Sequence, residues 1–450
     1  MTSAVDKFHE FDRFGSVLGL ERVGELLSRL GNPHLTMKYI HVAGTNGKGS
    51  TCKFLEKGLA ACGYKVGLYT SPYIEKFNER IQFDGEMITD EELEIYGDQA
   101  LAKAKEMVDD GLTSPTEFEV VMATAFLYFR AKKPDIIILE AGMGGLGDAT
   151  NIIPKPLVSV FTSVAYDHMH VLGNTLEEIA ADKAGIIKPG CPVVSNVKEH
   201  GPAAVIARQA YSMGSRLYDV SKIKFTVDWE NSLEQQVSME LWETDYSEVV
   251  TSMVGHHQAE NLKTALAVLE ILRKQQIIRV ERSALYRGLK EAVQPGRFEV
   301  LSTGNPQVVI DGAHNDAGAE ALAKTMKECY PEAKTLIVTG MVERKETVKV
   351  MKHFLEIGSD FFITKPDYED RAMATGELEK CLREAAEESG RELNIVGSNE
   401  SVYDSVNDAL KTGEDYDVVL FAGSLYLIGA VRSVIKGRTD YDRDRTLKYS

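Results

Sequence analysis

The sequence predicts an α/β fold with two domains: an N-terminal doubly wound, mostly parallel sheet with a small added antiparallel sheet, and a C-terminal Rossmann-like α/β domain. Continuous apolar runs such as residues 134–140 are typical of parallel strands buried on both faces, and amphipathic helical segments alternate with them. A chain of 450 residues exceeds one ordinary core. The helix-breaking segment 294–296 therefore divides the chain into predicted domains 1–294 and 295–450.

The individual elements follow from apolar periodicity and from residues that start or stop helices. Helices before the boundary are predicted over residues 16–30, 89–110, 118–131, 175–187, 256–275 and 281–292. Strands there are predicted over residues 38–43, 64–69, 134–140, 156–163 and 192–197. Thr175 is a candidate helix cap, and short alternating runs within 216–254 predict the small antiparallel sheet. C-terminal strands, with helices between them, are predicted at residues 307–310, 335–339, 360–364 and 418–422.

Composition and charge narrow the class of protein. The net charge of −17 argues against sequence-independent nucleic-acid binding, because such binding needs a basic surface. The five cysteines are an odd number without a C-x-x-C pair, which predicts neither a disulfide framework nor a zinc site and fits a reducing cytoplasm. The N-terminus lacks a signal-peptide pattern, and no apolar run approaches the roughly 18 residues that span a bilayer, so we expect no membrane association.

A glycine-rich turn follows the first predicted strand, and it reads Gly44-Thr45-Asn46-Gly47-Lys48-Gly49-Ser50-Thr51. Glycines let backbone N–H groups point at an anion, and the helix expected to begin at Ser50 adds a favourable dipole. The spacing differs from the standard P-loop G-x-x-x-x-G-K-[ST], because Gly49 separates Lys48 from the hydroxyl. We interpret the turn as a phosphate cradle in a P-loop domain. The alternative is a strand-to-helix turn with a solvated lysine.

Glu140 ends the apolar strand at 134–140, where ligand groups of parallel sheets lie. It is placed to hold Mg²⁺ near the cradle, and the alternative is a solvated strand-end glutamate. The glycine-dense segment 142–148 follows and is interpreted as a loop close to a ligand, with a flexible turn as the alternative.

Two further polar groups lie in the first predicted domain. Asp167-His168-Met169-His170 follows the strand that ends near Ser163, so we expect its side chains at the same sheet edge as Glu140. One imidazole could bind Mg²⁺ or Mn²⁺ there. Alternation along the chain suggests that the two histidines point apart, and a structural role for either is the alternative. Lys183 ends an apolar helical segment, where a buried lysine has a lowered pKa or a partner. From the residues alone, a snorkelling lysine is the favoured interpretation.

The second predicted domain carries its own polar cluster. Asp311-Gly312-Ala313-His314-Asn315 ends an apolar strand and opens a helix, and Arg297 follows the boundary. An arginine here could reach a phosphate from the second domain. Together with the cradle, this cluster predicts a nucleotide held between domains.

These motifs together resemble the folylpolyglutamate synthase / dihydrofolate synthase family, a branch of the Mur-type ATP-dependent amide ligases. The resemblance covers nearly the whole chain, and the extra Gly49 is one of its marks. Its remaining landmarks are Thr70-Ser71-Pro72, Glu79-Arg80-Ile81, Phe118-Glu119, Asp148-Ala149-Thr150-Asn151, Leu172-Gly173, Lys183-Ala184-Gly185-Ile186-Ile187-Lys188, His257-Gln258 with Asn261, and Pro295-Gly296-Arg297-Phe298-Glu299.

The resemblance implies ATP and Mg²⁺, with K⁺ or Mn²⁺ as further candidate cations, and addition of L-glutamate to a folate through an acyl phosphate. It implies that ATP is held by Asn46, Gly47, Lys48, Gly49, Ser50, Asn261, Arg297 and Asp311, the last three from the far side of the cleft. The implied metal ligands are Ser71, Glu140 and His168. The implied substrate residues are Arg80, Thr116, Phe118, Gly147, Asp148, Ala149 and Ser424. Lys48, a carbamylated Lys183 and His314 are the implied catalytic residues.

The sequence departs from the family pattern at three places. Tyr73 replaces a histidine, residues 342–346 replace an Asp-Lys-Asp cluster, and Leu146-Gly147 replaces an Arg-Leu pair near the pterin site. The last change leaves open whether reduced folate, dihydropteroate or both are substrates.

Two alternative functions remain. A Mur-type ligase for a cell-wall nucleotide precursor is disfavoured by Gly49 and by the lack of a separate N-terminal substrate domain. A non-catalytic nucleotide-binding module is disfavoured because the sequence has no Asn-Lys-x-Asp motif. We therefore expect a cytoplasmic monomer. Its expected partners are small-molecule substrates, namely ATP, L-glutamate and a reduced folate or dihydropteroate.

Overall fold

Three β-sheets organise the chain in the computed structural model, which describes residues 3–11, 18–343, 346–368 and 371–437. The first sheet has eight strands in the order β4-β3-β2-β5-β1-β6-β7-β8. These strands are β1 Tyr39–Ala43, β2 Val66–Tyr69, β3 Ile81–Phe83, β4 Glu86–Met87, β5 Ile136–Glu140, β6 Val158–Phe161, β7 Val193–Ser195 and β8 Leu217–Asp219. All of its pairings are parallel except those of β3 and β4 at one edge.

Helices cover both faces of the first sheet. They are α1 Ala4–His9, α2 Glu21–Arg29, α3 Lys48–Ala61, α4 Asp90–Asp109, α5 Glu117–Lys132, α6 Met169–Leu172, α7 Leu176–Lys183, α8 His200–Ser212, α9 His256–Lys274 and α10 Arg282–Lys290. Ile40 and Val42 of β1 pack with α3 and α9 on one face. Tyr39 packs with α5 on the other face. Since successive side chains of a strand point to opposite faces, this double cover explains why the strands read as continuous apolar runs.

The second sheet is antiparallel and has three strands, β9 Phe225–Glu230, β10 Gln235–Leu241 and β11 Thr244–Thr251, in the order β11-β10-β9. Val237, Met239 and Leu241 of β10 are buried in the same core as α9, while Ser238 and Glu240 alternate with them toward solvent. One apolar face is therefore enough to attach this sheet to the first sheet.

The third sheet has six strands in the order β12-β13-β17-β14-β15-β16. Its strands are β12 Glu299–Ser302, β13 Gln307–Asp311, β14 Thr335–Thr339, β15 Asp360–Thr364, β16 Asn394–Asn399 and β17 Val418–Ala422. Its helices are α11 Asp316–Cys329, α12 Thr347–Phe354, α13 Thr375–Ser389, α14 Val402–Thr412 and α15 Leu425–Ile435. Only β12 is antiparallel to its neighbour, and apolar clusters lie on both faces of the sheet.

The predicted α/β architecture is confirmed, including the added antiparallel sheet, and Thr175 caps α7 through a hydrogen bond from Glu178 N at 3.2 Å. One assignment within 216–254 is wrong, because β8 extends the large parallel sheet and does not join the antiparallel sheet. Helix α8 and the half-exposed edge strands β12 and β16 were not predicted. Edge strands carry polar residues, so they lack the apolar runs that reveal central strands.

Two predictions involve residues outside the described ranges. The expected helix over 16–30 includes Ser16 and Val17, which are outside them, and the described helix begins at Glu21. The departure at 342–346 includes Arg344 and Lys345, which are also outside. Among the described helices, none combines the length and apolar character needed to cross a membrane.

Gly288 on α10 offers a test of how the cradle helix α3 is held. A Cβ at Gly288 would lie 2.3 Å from the carbonyl oxygen of Lys57 on α3 and 2.7 Å from Ala61 Cβ. We expect Gly288→Ala to force the helices apart and to lower the free energy of unfolding by about 1–3 kcal/mol. The measurement is the midpoint of urea or thermal unfolding.

The matched control is Gly376→Ala on α13, where a Cβ would meet nothing within 4 Å. Alanine is the better helix former, so this variant should be as stable as the parent or up to about 1 kcal/mol more stable. Equal midpoints for the two variants would contradict the steric argument.

Candidate active site

A cleft of about 1550 Å³ is lined by residues that follow strands of both the first and the third sheet. It contains every residue that was predicted for the site except Lys183. The predicted residues that line it are Asn46, Gly47, Lys48, Gly49, Ser50, Ser71, Arg80, Thr116, Phe118, Glu140, Gly147, Asp148, Ala149, His168, Asn261, Arg297, Asp311, His314 and Ser424. The fold thus brings together side chains that are separated by more than 300 positions in the sequence.

The glycine-rich turn connects β1 to α3, and the helix begins at Lys48, two residues earlier than expected. Gly47 has a φ of 83°, a left-handed conformation that favours glycine. A Cβ at Gly47 would also lie 2.2 Å from Asn261 Oδ1, so no side chain fits there. Asn261 therefore lies against the cradle, and its expected position across the cleft is wrong.

The side chain of Lys48 bends back over the turn that carries it. Its Nζ donates hydrogen bonds to the carbonyl oxygens of Gly44 and Thr45, each at 3.1 Å. This holds a positive charge at the mouth of the helix N-terminus, where anions are favoured.

Asn46 is fixed to the end of β6 by its backbone. Its N–H donates to Ser163 Oγ at 3.0 Å, and its carbonyl oxygen accepts from Thr162 Oγ1 at 2.7 Å. Its side-chain Oδ1 accepts from Nδ2 of Asn315, in the other half of the cleft, at 3.1 Å. Hydrogen bonds from the end of β6 thus hold the cradle within the first sheet, and Asn315 contacts it from the half of the cleft that belongs to the third sheet.

Glu140 lies at the end of β5, between the cradle and Ser71. It is only 5% exposed, and its Oε2 accepts a hydrogen bond from Ser71 N at 3.3 Å. Burial raises the pKa of its carboxyl to about 7, although the positive charges of Lys48 and Arg297 oppose the shift. A buried carboxylate of this kind is stabilised by a cation placed against it.

By themselves, the three predicted metal ligands provide only part of the coordination that a hard cation needs. Ser71, whose N–H contacts the Glu140 carboxylate, and Glu140 carry oxygen atoms, and His168 offers an imidazole at the same cleft. Within the described ranges, no three His, Cys, Asp or Glu residues are grouped closely enough to hold a metal ion. The set suits Mg²⁺, which keeps several waters and takes few protein ligands beside substrate phosphates.

His168 does not continue a strand. It has a φ of 49° and opens the short helix α6. Its ring lies 6.3 Å from that of His170, and both residues line the cleft. The expectation that the two histidines point apart is therefore wrong, because it assumed an extended backbone.

Lys183 is the last residue of α7 and lies beneath the cleft. It is 4% exposed, and its Nζ donates to the Gly44 carbonyl oxygen at 3.1 Å. Burial and the nearby positive charge of Lys48 lower its pKa to about 7, against the opposing charges of nearby aspartates. The snorkelling interpretation is wrong, because the amine points into the protein.

Asp311 and His314 follow β13 on the other side of the cleft. The Asp311 carboxylate accepts from Phe298 N and Ala313 N, each at 2.7 Å, and burial raises its pKa while Arg297 opposes the rise. His314 Nδ1 lies 2.7 Å from the Gly312 carbonyl oxygen. Since a carbonyl oxygen only accepts, Nδ1 carries the proton in this contact.

An aromatic wall closes another part of the cleft. Phe118 follows Thr116, which caps α5 by accepting from Glu119 N at 3.3 Å. Arg80 is 2% exposed, pairs with Glu117 at 3.1 Å, and its guanidinium lies 5.6 Å from the centre of the Phe118 ring. The Arg80 guanidinium thus contacts the Phe118 ring as a cation–π pair does. At the opposite side, Ser424 caps α15.

Sequence reasoning missed a buried chain of hydrogen bonds beneath the glycine loop. Asp148 Oδ1 accepts from Thr150 Oγ1 at 2.5 Å, and Thr150 Oγ1 lies 2.8 Å from His41 Nε2. Because the one hydroxyl proton goes to Asp148, His41 must donate through Nε2. Burial lowers the pKa of His41 to about 3, so the ring is neutral at pH 7. Asp148 and Thr150 are two positions apart, so the sequence could have indicated the hydrogen bond between them. No local pattern indicates that His41 joins them.

Comparison with known proteins agrees with this geometry. The Mur ligase middle domain family matches residues 42–269, and the Mur ligase, glutamate ligase domain family matches residues 296–425. The dihydrofolate synthase/folylpolyglutamate synthase of Bacillus subtilis is 36% identical over 431 residues, which cover 94% of this chain and 96% of that protein.

Solved structures show the same likeness. The crystal structure of folylpolyglutamate synthase from Thermotoga maritima superposes with a TM-score of 0.83 at 31% identity, covering 96% of this chain and 97% of that one. Escherichia coli FolC in complex with DHPP and ADP has a TM-score of 0.83 at 28% identity, covering 97% of this chain and 100% of that one. On the strength of sequence identity along nearly its entire length, the chain belongs to the folylpolyglutamate synthase/dihydrofolate synthase family of Mur-type ligases.

Proposed function

We propose that this protein is an ATP-dependent ligase that adds L-glutamate to the γ-carboxylate of tetrahydrofolate (poly)glutamates and that it also acts on dihydropteroate. The observation that carries the proposal is the convergence of the phosphate cradle, the buried Glu140 and His314 from the other half of the chain in one cleft. The names of the relatives include both activities, and FolC was solved with DHPP and ADP.

The proposed reaction has two steps. A carboxylate oxygen of the folate attacks the terminal phosphorus of ATP, ADP leaves, and an acyl phosphate forms. The amino nitrogen of L-glutamate then attacks the acyl carbon, inorganic phosphate leaves, and the amine releases its proton. Both steps need the reactants held at close range and shielded from water, which a deep cleft between two sheets provides.

The residues of the cradle take the phosphates in this proposal. Backbone N–H groups of Gly47, Gly49 and Ser50 and the ammonium of Lys48 stabilise negative charge, with Asn46 beside them. From the other half of the cleft, Arg297 and Asp311 hold the nucleotide, and Asn261 holds it from the cradle side. When the phosphates arrive, the Lys48 ammonium exchanges its two carbonyl partners for phosphate oxygens.

We assign Ser71, Glu140 and His168 to Mg²⁺ in the same proposal. The cation supplies charge neutralisation at the transferred phosphoryl group. Glu140 in particular is held by Ser71 N and lies close enough to Lys48 and Arg297 for their charges to affect its ionisation.

The folate and the glutamate occupy opposite parts of the cleft. The pterin stacks on Phe118, between Thr116 and the loop of Gly147, Asp148 and Ala149. Arg80 acts through Phe118 in this proposal, because it is buried in an ion pair with Glu117. The glutamate lies near His314 and Ser424, where the unprotonated Nε2 of a neutral His314 can accept a hydrogen bond from the amine.

We propose residues 1–294 as the ATP- and pterin-binding domain and residues 295–450 as the domain that binds glutamate and closes the cleft. A cytoplasmic location is proposed too, and the five free thiols support a reducing compartment. The monomeric state stays a prediction.

Lys183 supports one finer proposal, that its amine is carbamylated. Carbamylation needs the neutral amine, whose nitrogen attacks the carbon of CO₂ and loses one proton to give an anionic carbamate. Because burial lowers the pKa of Lys183 to about 7, a substantial fraction of its amines is neutral at pH 7, whereas an ordinary lysine is about 0.03% neutral there. The carbamate would replace a buried cation beside Lys48 by an anion.

A substrate panel tests the proposed reaction. Phosphate release from ATP should require both L-glutamate and a folate substrate, and it is measured with tetrahydrofolate, dihydropteroate and a cell-wall nucleotide precursor in turn. Release that depends on the cell-wall precursor alone would exclude the folate ligase, and release with tetrahydrofolate alone would exclude the second activity.

Lys48→Ala tests the phosphate role of the cradle. Loss of the only side-chain charge in the turn should reduce kcat/KM for ATP at least about 100-fold, as for other preorganised charges at transferring phosphates. The control is Lys57→Ala on the same helix, whose half-buried ammonium lies 3.9 Å from Glu56 and outside the cleft lining. Near-parent activity of Lys48→Ala would contradict the assignment.

Isotope labelling tests the carbamate on Lys183. After equilibration with ¹³C-bicarbonate, a carbamate carbon signal should appear in the NMR spectrum and should strengthen between pH 6 and pH 8, because the amine loses its proton around pH 7. Lys183→Arg should abolish the signal. Lys188→Arg, which removes the other lysine of this segment with a burial-lowered pKa, should retain it, and the reverse pattern would disprove the assignment.

A further inference from the structure

Asn315 joins the two halves of the cleft by a pair of side-chain amides. Its Nδ2 donates to Asn46 Oδ1 at 3.1 Å, and Asn46 Nδ2 donates back to Asn315 Oδ1 at 3.4 Å. Asn315 belongs to the polar cluster at residues 311–315, but the proposed reaction gives it no individual role. The two residues are 269 positions apart, so only the tertiary structure places them in contact.

The Asn315 amide and the Asn46 backbone are each held by contacts of their own. Asn315 is 6% exposed and caps α11, because its Oδ1 also accepts from Gly318 N at 2.9 Å. The backbone of Asn46 is fixed to Thr162 and Ser163 at the end of β6. Because the Asn315 amide is already anchored and Asn46 extends from a fixed backbone, their pairing costs less entropy than pairing of two mobile residues would, so the pair is a stiff link.

The amide pair lies between the phosphate cradle and the proposed glutamate site, which the reaction must hold at a defined distance. Asn46 belongs to the phosphate cradle, and Asn315 directly follows His314, whose ring is fixed to the Gly312 carbonyl oxygen at 2.7 Å. Any shift of the α11 cap therefore moves His314 relative to the cradle. Because the glutamate amine must reach an acyl carbon next to the transferred phosphate, a displacement of about 1 Å is enough to slow the reaction strongly.

We propose that Asn315 is a positioning residue that sets the distance between the nucleotide cradle and the glutamate site through Asn46. The inference rests on the proposed function, since it needs both ligands in this cleft. It assigns Asn315 no contact with substrate. Its effect passes through the Asn46 amide and through the α11 cap that carries His314.

The test is a double-mutant cycle across the cleft. Asn315→Ser keeps a hydroxyl that caps α11 but is too short to reach Asn46, and Asn46→Ala removes the partner. In the parent background, Asn315→Ser should lower kcat/KM for L-glutamate about 5- to 10-fold, the value of one or two buried hydrogen bonds. In the Asn46→Ala background, the same change should lower it less than about 2-fold, because the link is already broken.

The control separates positioning from simple loss of a helix cap. Ser401 caps α14 by accepting from Asp404 N at 3.3 Å, and it lies outside the cleft lining. Ser401→Ala should lower the melting temperature but leave kcat/KM for glutamate unchanged.

The outcomes distinguish failure of the inference about Asn315 from failure of the proposed function. An equal fold-loss from Asn315→Ser in both backgrounds, or no loss in either, overturns the inference while the proposed function stands. Failure of the parent protein to ligate glutamate overturns the proposed function, and the inference with it.

Discussion

Parallel pairing of β2, β5, β1 and β6 is the constraint on which the site depends. Parallel neighbours end at the same edge of a sheet, so the strand pairing itself brings together the residues that follow these four strands. Ser71, Glu140, the cradle and Ser163 all lie at this edge. A one-strand change of order would separate Glu140 from Lys48, and the carboxylate would lose the positive charge of Lys48 that opposes its protonation.

Burial then gives this edge its electrostatic character. Desolvation disfavours whichever form of a group is charged, so it raises the pKa of Glu140 and lowers that of Lys183 until both lie near 7. An acid and an amine of very different ordinary pKa thus become poised at neutral pH. Groups tuned in this way are typical of sites that bind ions and transfer phosphoryl groups, and they agree with membership of the folylpolyglutamate synthase/dihydrofolate synthase family.

The third sheet completes the cleft by contacts of a different kind. Arg432 on α15 pairs with Glu299 of its own sheet and with Glu75, which follows the Ser71-Pro72 turn of the first sheet. Asn315 meets Asn46 at the cradle. These polar contacts link the first sheet to the third on either side of the cleft.

The sequence alone determined the α/β class, the central strands and the strand-end residues, because apolar runs and glycine-rich turns are local signals of burial and of backbone shape. Edge strands β12 and β16 lack those signals. Only the tertiary structure decided that Asn261 lies on the cradle side, that Lys183 points inward, and that His41 holds Asp148 through Thr150. These facts depend on which elements pack against each other, and contacts between residues more than 100 positions apart leave no trace in the local pattern.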